Sequence, residues 1–263
     1  MTRLRGPWYE RRFLPEHCGN RLNVNVNTAL QNSAYLALGR VLLLKNPGFD
    51  RCAPDTIDEL MAGASLARCE RGDLVARIDE PFDHLCLVVE GVLEIRTLMS
   101  GRRHLMMFLA AGELTGVLCC IDGKGQLHDV IAHSDVVLMY IPGDLIRRRR
   151  IIDPDLSVAL ELQLAYRSRR LYELLAGTSL LSLRARLARL LVQLESGFGI
   201  HRGVADIISL RLSQTDIADL LGTSRQWANR ELNELETLGM IRVKRSSIEI
   251  LDLNALVELS SSG

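Results

Sequence analysis

The sequence predicts an α+β protein: a β jelly roll, then a long helix, then a helix-turn-helix unit closed by a two-stranded wing. Three observations predict it. Residues 65–141 form short apolar runs broken by Gly72, Gly91, Gly101, Gly112 and Gly116, the pattern of a roll built from short strands. From Asp153 onward, leucines recur at heptad spacing. Between Leu212 and Ile250 the pattern changes again, to two short capped helices and a basic hairpin.

Residues 1–50 precede the roll and carry no assigned role. Leu30 to Leu44 reads as an apolar helix, and Asn46-Pro47-Gly48 punctuates it. Arg3, Arg5, Arg11 and Arg12 come with no apolar signal-peptide core before Pro15 and His17, which argues against export.

The roll spans 51–152. Residues 83–95 read as two strands hinged at Gly91. Arg147, Arg148, Arg149 and Arg150 follow Pro142-Gly143-Asp144 on a short helix. A charge run of this kind is a solvated face or a contact with RNA polymerase or flanking DNA.

The long helix, 153–179, opens at Asp153-Pro154-Asp155, where early negative charge suits a helix N-terminus. Leu160, Leu164, Leu171 and Leu174 form a seam interrupted by Arg167, through which two chains can pair. Leu156, Ala159 and Leu162 lie off that seam and predict a second buried face against the roll. Leu180-Leu181-Ser182 then reads as a hinge, with Ser182 capping a helix over 183–194.

The last unit, 180–263, carries the most specific signal. Ser213 can cap a helix whose third residue, Asp216, answers the cap's own N–H, and Gly222 supplies the left-handed stop. Ser224 caps a second helix, 224–237, whose Ala228, Leu232, Leu235 and Leu238 form the core stripe. Arg225, Gln226, Asn229 and Arg230 lie on its polar side. Arg and amide side chains on the exposed face of a second helix can read base edges in a DNA major groove. Ser213, Gln214 and Ser224 stand at the helix starts, where phosphates are held. Residues 241–251 alternate as two strands whose Lys244 and Arg245 can touch phosphates.

Thr223-Ser224-Arg225-Gln226, Arg230-Glu231-Leu232 and Leu238-Gly239-Met240-Ile241 resemble the winged helix-turn-helix of bacterial transcription regulators in the cyclic AMP receptor protein and fumarate-nitrate reductase regulator family. The resemblance runs from about Ala53 to the C-terminus. It implies a cyclic-nucleotide-binding-like roll, a dimerisation helix and a homodimer on palindromic double-stranded DNA in the cytoplasm, and no enzymatic activity. It also places the candidate effector pocket at Gly112, Glu113, Leu114, Gly116, Cys119 and His128, where relatives cradle a cyclic phosphate.

There the chain departs from the family pattern. Nucleotide binders carry an acidic residue after the second Gly, and an Arg with a small hydroxyl residue further on. Here Val117 follows Gly116, and Leu127-His128-Asp129 replaces the cation. Asp129 would repel a phosphate. The expectation is a roll that has lost or changed its ligand: the effector is unknown and cyclic AMP is not expected.

Composition fits two domains: 263 residues, 48% hydrophobic, formal net charge zero. A neutral chain must bind DNA through local basic clusters. No apolar run reaches the length of a membrane span. Cys18, Cys52, Cys69 and Cys86 are dispersed, and Cys119-Cys120 is the single near pair, so no iron-sulfur cluster motif exists. The cysteines are expected as small apolar residues, with a thiol sensor at Cys119 and Cys120 as the alternative. No His-x-His pair supports a metal, which argues against a cupin-like metal-binding roll. A ligand-sensing roll whose output is not DNA binding is the other alternative.

Overall fold

The computed structural model describes residues 26–99, 102–202, 205–245 and 247–261. Arg3, Arg5, Arg11, Arg12, Cys18 and Ser246 lie outside them. The described residues open with α1 (Val26–Lys45), a 3-10 turn (Phe49–Arg51) and α2 (Pro54–Ala62). The roll follows: β1 (Ser65–Cys69), β2 (Leu74–Ala76), β3 (His84–Glu90), β4 (Leu93–Met99), β5 (Arg102–Leu109), β6 (Leu114–Thr115), α3 (Val117–Asp122), β7 (Asp129–Ala132) and β8 (Val136–Pro142). Then come α4 (Gly143–Ile152), α5 (Pro154–Leu180) and α6 (Leu183–Phe198). The last part is β9 (Gly199–Arg202), β10 (Ala205–Ile208), α7 (Gln214–Leu221), α8 (Arg225–Thr237), β11 (Ile241–Val243), β12 (Ile248–Ile250) and α9 (Leu253–Ser260).

Two four-stranded antiparallel sheets, ordered β1-β8-β3-β6 and β2-β7-β4-β5, form the roll. The continuous apolar run of β3 has a direct explanation, because successive side chains of a strand point to opposite faces. Cys86 and Val88 enter the core between the sheets with Leu93, Val130, Leu138 and Tyr140. Leu85, Leu87 and Val89 face the other way, into a second core closed by Leu43, Phe49, Leu60, Leu145, Leu156 and Leu160 from the helices. β8 alternates likewise, with Leu138 and Tyr140 inward and Met139 and Ile141 toward the helices. Gly91 carries the chain from one sheet to the other at φ 85. A Cβ there would lie 2.2 Å from the Asp135 carbonyl oxygen, so glycine is required.

α5 begins as its sequence suggests. Asp153 accepts a hydrogen bond from the Asp155 N–H at 3.1 Å, Pro154 fills the first turn, and Asp153 also accepts from the Ala53 N–H at 2.9 Å. Leu156, Ala159 and Leu160 are fully buried against the roll. This corrects the expected seam: Leu160 belongs to the chain's own core, Leu164 packs against that core, and Leu162, expected inside, is exposed. The last contact of the helix with the roll is Arg170 on Glu113, and beyond it Leu171, Tyr172, Leu174, Leu175 and Leu180 are exposed.

The arginine run at the end of α4 is bound within the chain. Arg147 grips Asp83 with both terminal nitrogens at 2.6 and 2.8 Å, and Arg148 pairs with Asp144. Arg149 reaches Glu59 at 2.9 Å, and Arg150 donates to Ser157 at 3.2 Å. Arg147, Arg149 and Arg150 thus tie α4 to the roll, α2 and α5, while Arg148 pairs within α4.

α6 to α9 enclose a separate core: Leu187, Leu191, Ile217, Leu221, Ala228, Leu232, Leu235, Ile241, Ile250 and Leu256. Beside it lies a third sheet, ordered β11-β12-β10-β9. β9 and β10 were not anticipated, although Ile200, Ile207 and Ile208 carry an apolar signal. Leu105 and Phe108 of β5 also join this core, so the outer face of the roll and the winged unit share apolar contacts.

Candidate nucleic-acid interface

α7 is bounded by groups its sequence announces. The Ser213 hydroxyl accepts from the Asp216 N–H at 3.1 Å while Asp216 Oδ2 accepts from the Ser213 N–H at 3.0 Å, a reciprocal capping box. Gly222 ends the helix at φ 60, a left-handed conformation that costs a side-chain-bearing residue about 1–2 kcal/mol. Ser224 then caps α8 by accepting from the Trp227 N–H at 3.3 Å. Ile217, Ala218 and Leu221 face Ala228, Leu232 and Leu235 in the core. Leu238 departs from the expected stripe: it is the C-cap of α8 and is 55% exposed, because the chain turns away there at Gly239, φ 72. Arg184 of α6 holds α8 in place, donating to Glu231 at 2.9 Å and Glu234 at 3.0 Å.

The opposite face of α8 is free and organised. Arg225, Gln226 and Arg230 are exposed. Gln214 donates from Nε2 to Asn229 Oδ1 at 2.7 Å and accepts from Arg225 Nε at 3.3 Å. One amide on α7 therefore fixes two side chains of α8. Gln214, Ser224, Arg225, Gln226 and Asn229 line one cleft of about 570 Å³. Trp227, which sequence reasoning passed over, is 50% exposed on this helix, and the Arg230 guanidinium sits 5.2 Å from its ring centroid. An exposed tryptophan in the first turn of a reading helix was the available signal.

The wing separates its two basic residues. Lys244 is paired with Glu249, which also takes Arg242 at 3.1 Å. Arg245 has no ion-pair partner among the described residues. Of the two phosphate candidates, Arg245 is the one whose charge is uncommitted among the described residues.

The candidate effector residues sit on β6, α3 and the segments beside them, and several are engaged by other parts of the chain. Leu114 is buried, and its carbonyl accepts from Arg167 of α5. Glu113 accepts from the Ala110 N–H at 2.7 Å and pairs with Arg170 at 3.7 Å. Burial raises its pKa, against those hydrogen-bonded and charged neighbours. The Gly112 carbonyl accepts from Asn46 at 2.9 Å. Next to Gly116 lie the His84 carbonyl and the Phe82 ring, and Phe82, His84 and Tyr140 form an edge-to-face aromatic cluster. Cys119 is a buried thiol, its pKa raised first by burial and then by Asp122. Burial lowers the pKa of His128, and its Nδ1 has no hydrogen-bond partner among the described residues. Asp129 is buried and accepts from the Ile78 N–H at 3.0 Å. Among the described residues, no group of three or more His, Cys, Asp or Glu is placed to hold a metal.

Between roll and winged unit runs a polar clamp that the sequence did not reveal. Arg96 of β4 donates to Glu94 at 2.7 and 3.1 Å and to Asp216 of α7 at 3.1 Å. His133 Nδ1 lies 3.0 Å from Glu94. Burial disfavours the Glu94 carboxylate, but hydrogen bonds from His133 and Arg96 outweigh it and hold its pKa at about 2. Asp219, also on α7, accepts from the Leu105 N–H at 3.1 Å and meets His104 Nδ1 at 3.3 Å.

Comparison with known proteins follows the same division. Residues 66–149 match the family described as the cyclic nucleotide-binding domain, and residues 185–259 the Crp-like helix-turn-helix domain. A Mycobacterium tuberculosis protein named "CRP-like cAMP-activated global transcriptional regulator" is 28% identical over 209 residues, covering 79% of this chain and 93% of the relative. A Thermus thermophilus protein named "Cyclic AMP receptor protein" is 25% identical over 223 residues, covering 82% and 97%. The solved structure of FixK2 from Bradyrhizobium japonicum superposes with a TM-score of 0.68 at 20% identity, covering 76% of this chain and 98% of that one. A roll of this type, joined through a long helix to a winged helix-turn-helix, defines a DNA-binding transcription regulator. The chain belongs to the cyclic AMP receptor protein and fumarate-nitrate reductase regulator family.

Proposed function

We propose that this regulator binds a palindromic operator as a homodimer, with helix 224–237 in the major groove. In this reading residues 51–152 are the sensor roll, 153–179 the dimerisation helix and 180–263 the DNA-binding domain, while 1–50 are an N-terminal extension without an assigned role. Ser213, Gln214, Ser224, Lys244 and Arg245 hold phosphates, and Arg225, Gln226, Asn229 and Arg230 face base edges. The observation that carries the reading is the exposed face of α8, whose Arg225 and Asn229 are already ordered by Gln214. The apolar surface on the second half of α5 supports pairing with a second copy, because Leu171, Leu174 and Leu175 are exposed together. The protein acts in the cytoplasm, where its DNA is.

The roll answers to an effector other than cyclic AMP or works without one. Support comes from the missing cation at 127–129, from Arg167 being engaged by the Leu114 carbonyl, and from the Phe82 ring against Gly116. Selection of bound duplexes from random DNA tests the main reading. A two-fold symmetric motif with half-sites about 34 Å apart is expected. Enrichment of no motif would sink it.

A further inference from the structure

We propose that the DNA contact continues from the winged unit onto the roll, where Arg71, Arg211 and Arg245 line a cleft for the phosphate backbone flanking the half-site. This rests on the operator-binding reading above. The cleft measures about 630 Å³ and lies between the two units. Arg71 comes from the turn between β1 and β2, Arg211 from the segment before α7, and Arg245 from the wing. None of the three has an ion-pair partner among the described residues. The cleft also holds Glu94 and Asp216, but both carboxylates are taken by Arg96, and Glu94 by His133 as well. Three uncommitted guanidinium groups lining one cleft are notable in a chain whose formal net charge is zero.

Continuity identifies the occupant. Ser213 lines this cleft and Gln214, its neighbour in sequence, lines the cleft of the reading helix. The two clefts therefore meet at the start of α7, with Arg225 lining one and Arg71, Arg211 and Arg245 lining the other. Guanidinium groups suit a row of phosphates because each presents several donors in a fixed plane. A duplex whose bases meet α8 carries its backbone along this path.

Arg71 gives the cleanest test, since it is exposed on a turn of the roll and lies outside the winged unit. Binding of wild type, Arg71→Ala and Arg71→Lys would be followed by fluorescence anisotropy across a salt series. Two duplexes are compared: the selected symmetric core, and the same core extended by about one helical turn on each side. On the extended duplex, Arg71→Ala is expected to lower the slope of log K against log salt by about one for each protomer. Arg71→Lys is expected to restore it, and the core duplex to show no difference. An unchanged slope on both duplexes overturns the inference, and an equal loss on both places the contact inside the core and overturns it too. Saturable binding of inorganic pyrophosphate that Arg71→Ala abolishes, with DNA binding unaffected, would assign the cleft to a free phosphate ligand instead. Sequence-selective binding by wild type with an indifferent Arg71→Ala sinks this inference alone. Failure of wild type to select any sequence sinks the operator-binding reading beneath it.

Discussion

Glu94→Gln is expected to weaken the protein near neutral pH and to have little effect in acid. Glu94 sits on β4 with its side chain one-tenth exposed, between His133 and an Arg96 that also reaches Asp216. Its pKa in the folded chain is about 2, against 4.5 for a free glutamate. Each tenfold change in acidity is worth about 1.4 kcal/mol, so the depression corresponds to roughly 3 kcal/mol before solvent screening. Screening at this partly exposed site brings it to about 1–2 kcal/mol. The folded carboxylate is the stronger acid, so its stabilisation is complete above pH 4.5 and is lost as pH falls toward 2. Urea unfolding followed by circular dichroism at a series of pH values from 7 to 2.5 reads this directly. At pH 7 the variant's midpoint should fall by about 0.5–1 M, and the gap to wild type should close through the acid window. A gap that stays constant with pH, or no gap at pH 7, would refute the assignment of Glu94 as the charged centre of the clamp.

Replacing Leu171 and Leu174 together with Glu should give monomers in sedimentation, because burying two carboxylates in a helix pair costs several kcal/mol; persistent dimers would place the interface elsewhere. Gln226→Glu should shift one base pair of each half-site toward C by about 1–3 kcal/mol, read by repeating the DNA selection; an unchanged motif would remove α8 from the groove. Arg245→Ala should reduce the salt slope of DNA binding more than Lys244→Ala does, because Glu249 already holds Lys244; equal losses would show that DNA breaks that pair. Calorimetry should detect no saturable binding of cyclic AMP or cyclic GMP, and micromolar affinity for either would overturn the reading of the roll.

What was legible in the sequence is what depends on neighbours in the chain. Ser213, Asp216, Gly222 and Ser224 act on backbone groups within a few residues, so their types and spacing announce α7 and α8 without knowledge of the fold. The apolar run of β3 was readable as strand, but that one of its faces met helices and the other the opposite sheet was not. The heptad of α5 failed in its first half for a related reason: a leucine at core spacing does not say which surface it meets, and the roll claims Leu160. The neighbours of the candidate effector residues were not legible. Their positions came from a resemblance to relatives, whereas their contacts in this chain come from the turn after α1 and from α5, through Asn46, Arg167 and Arg170.

Asp216 shows why the remainder could not be read ahead. From sequence it is the third residue of a capped helix, and its Oδ2 does accept from both the Ser213 N–H and the Ser213 hydroxyl, at 3.0 and 2.7 Å. Its Oδ1 accepts from Arg96, 120 residues earlier, at 3.1 Å. One oxygen defines where the first DNA-binding helix begins, and the other ties that start to the roll. Capping accounts for the carboxylate completely at the level of sequence, so nothing about Asp216 signals a second role. Asp219, one turn later, repeats the arrangement by taking the Leu105 N–H of β5. The two carboxylates stand three residues apart, on neighbouring positions of one helix face, and grip adjacent strands, β4 and β5. The helix that positions the reading face is thereby held against the same sheet whose inner side lines the roll's core.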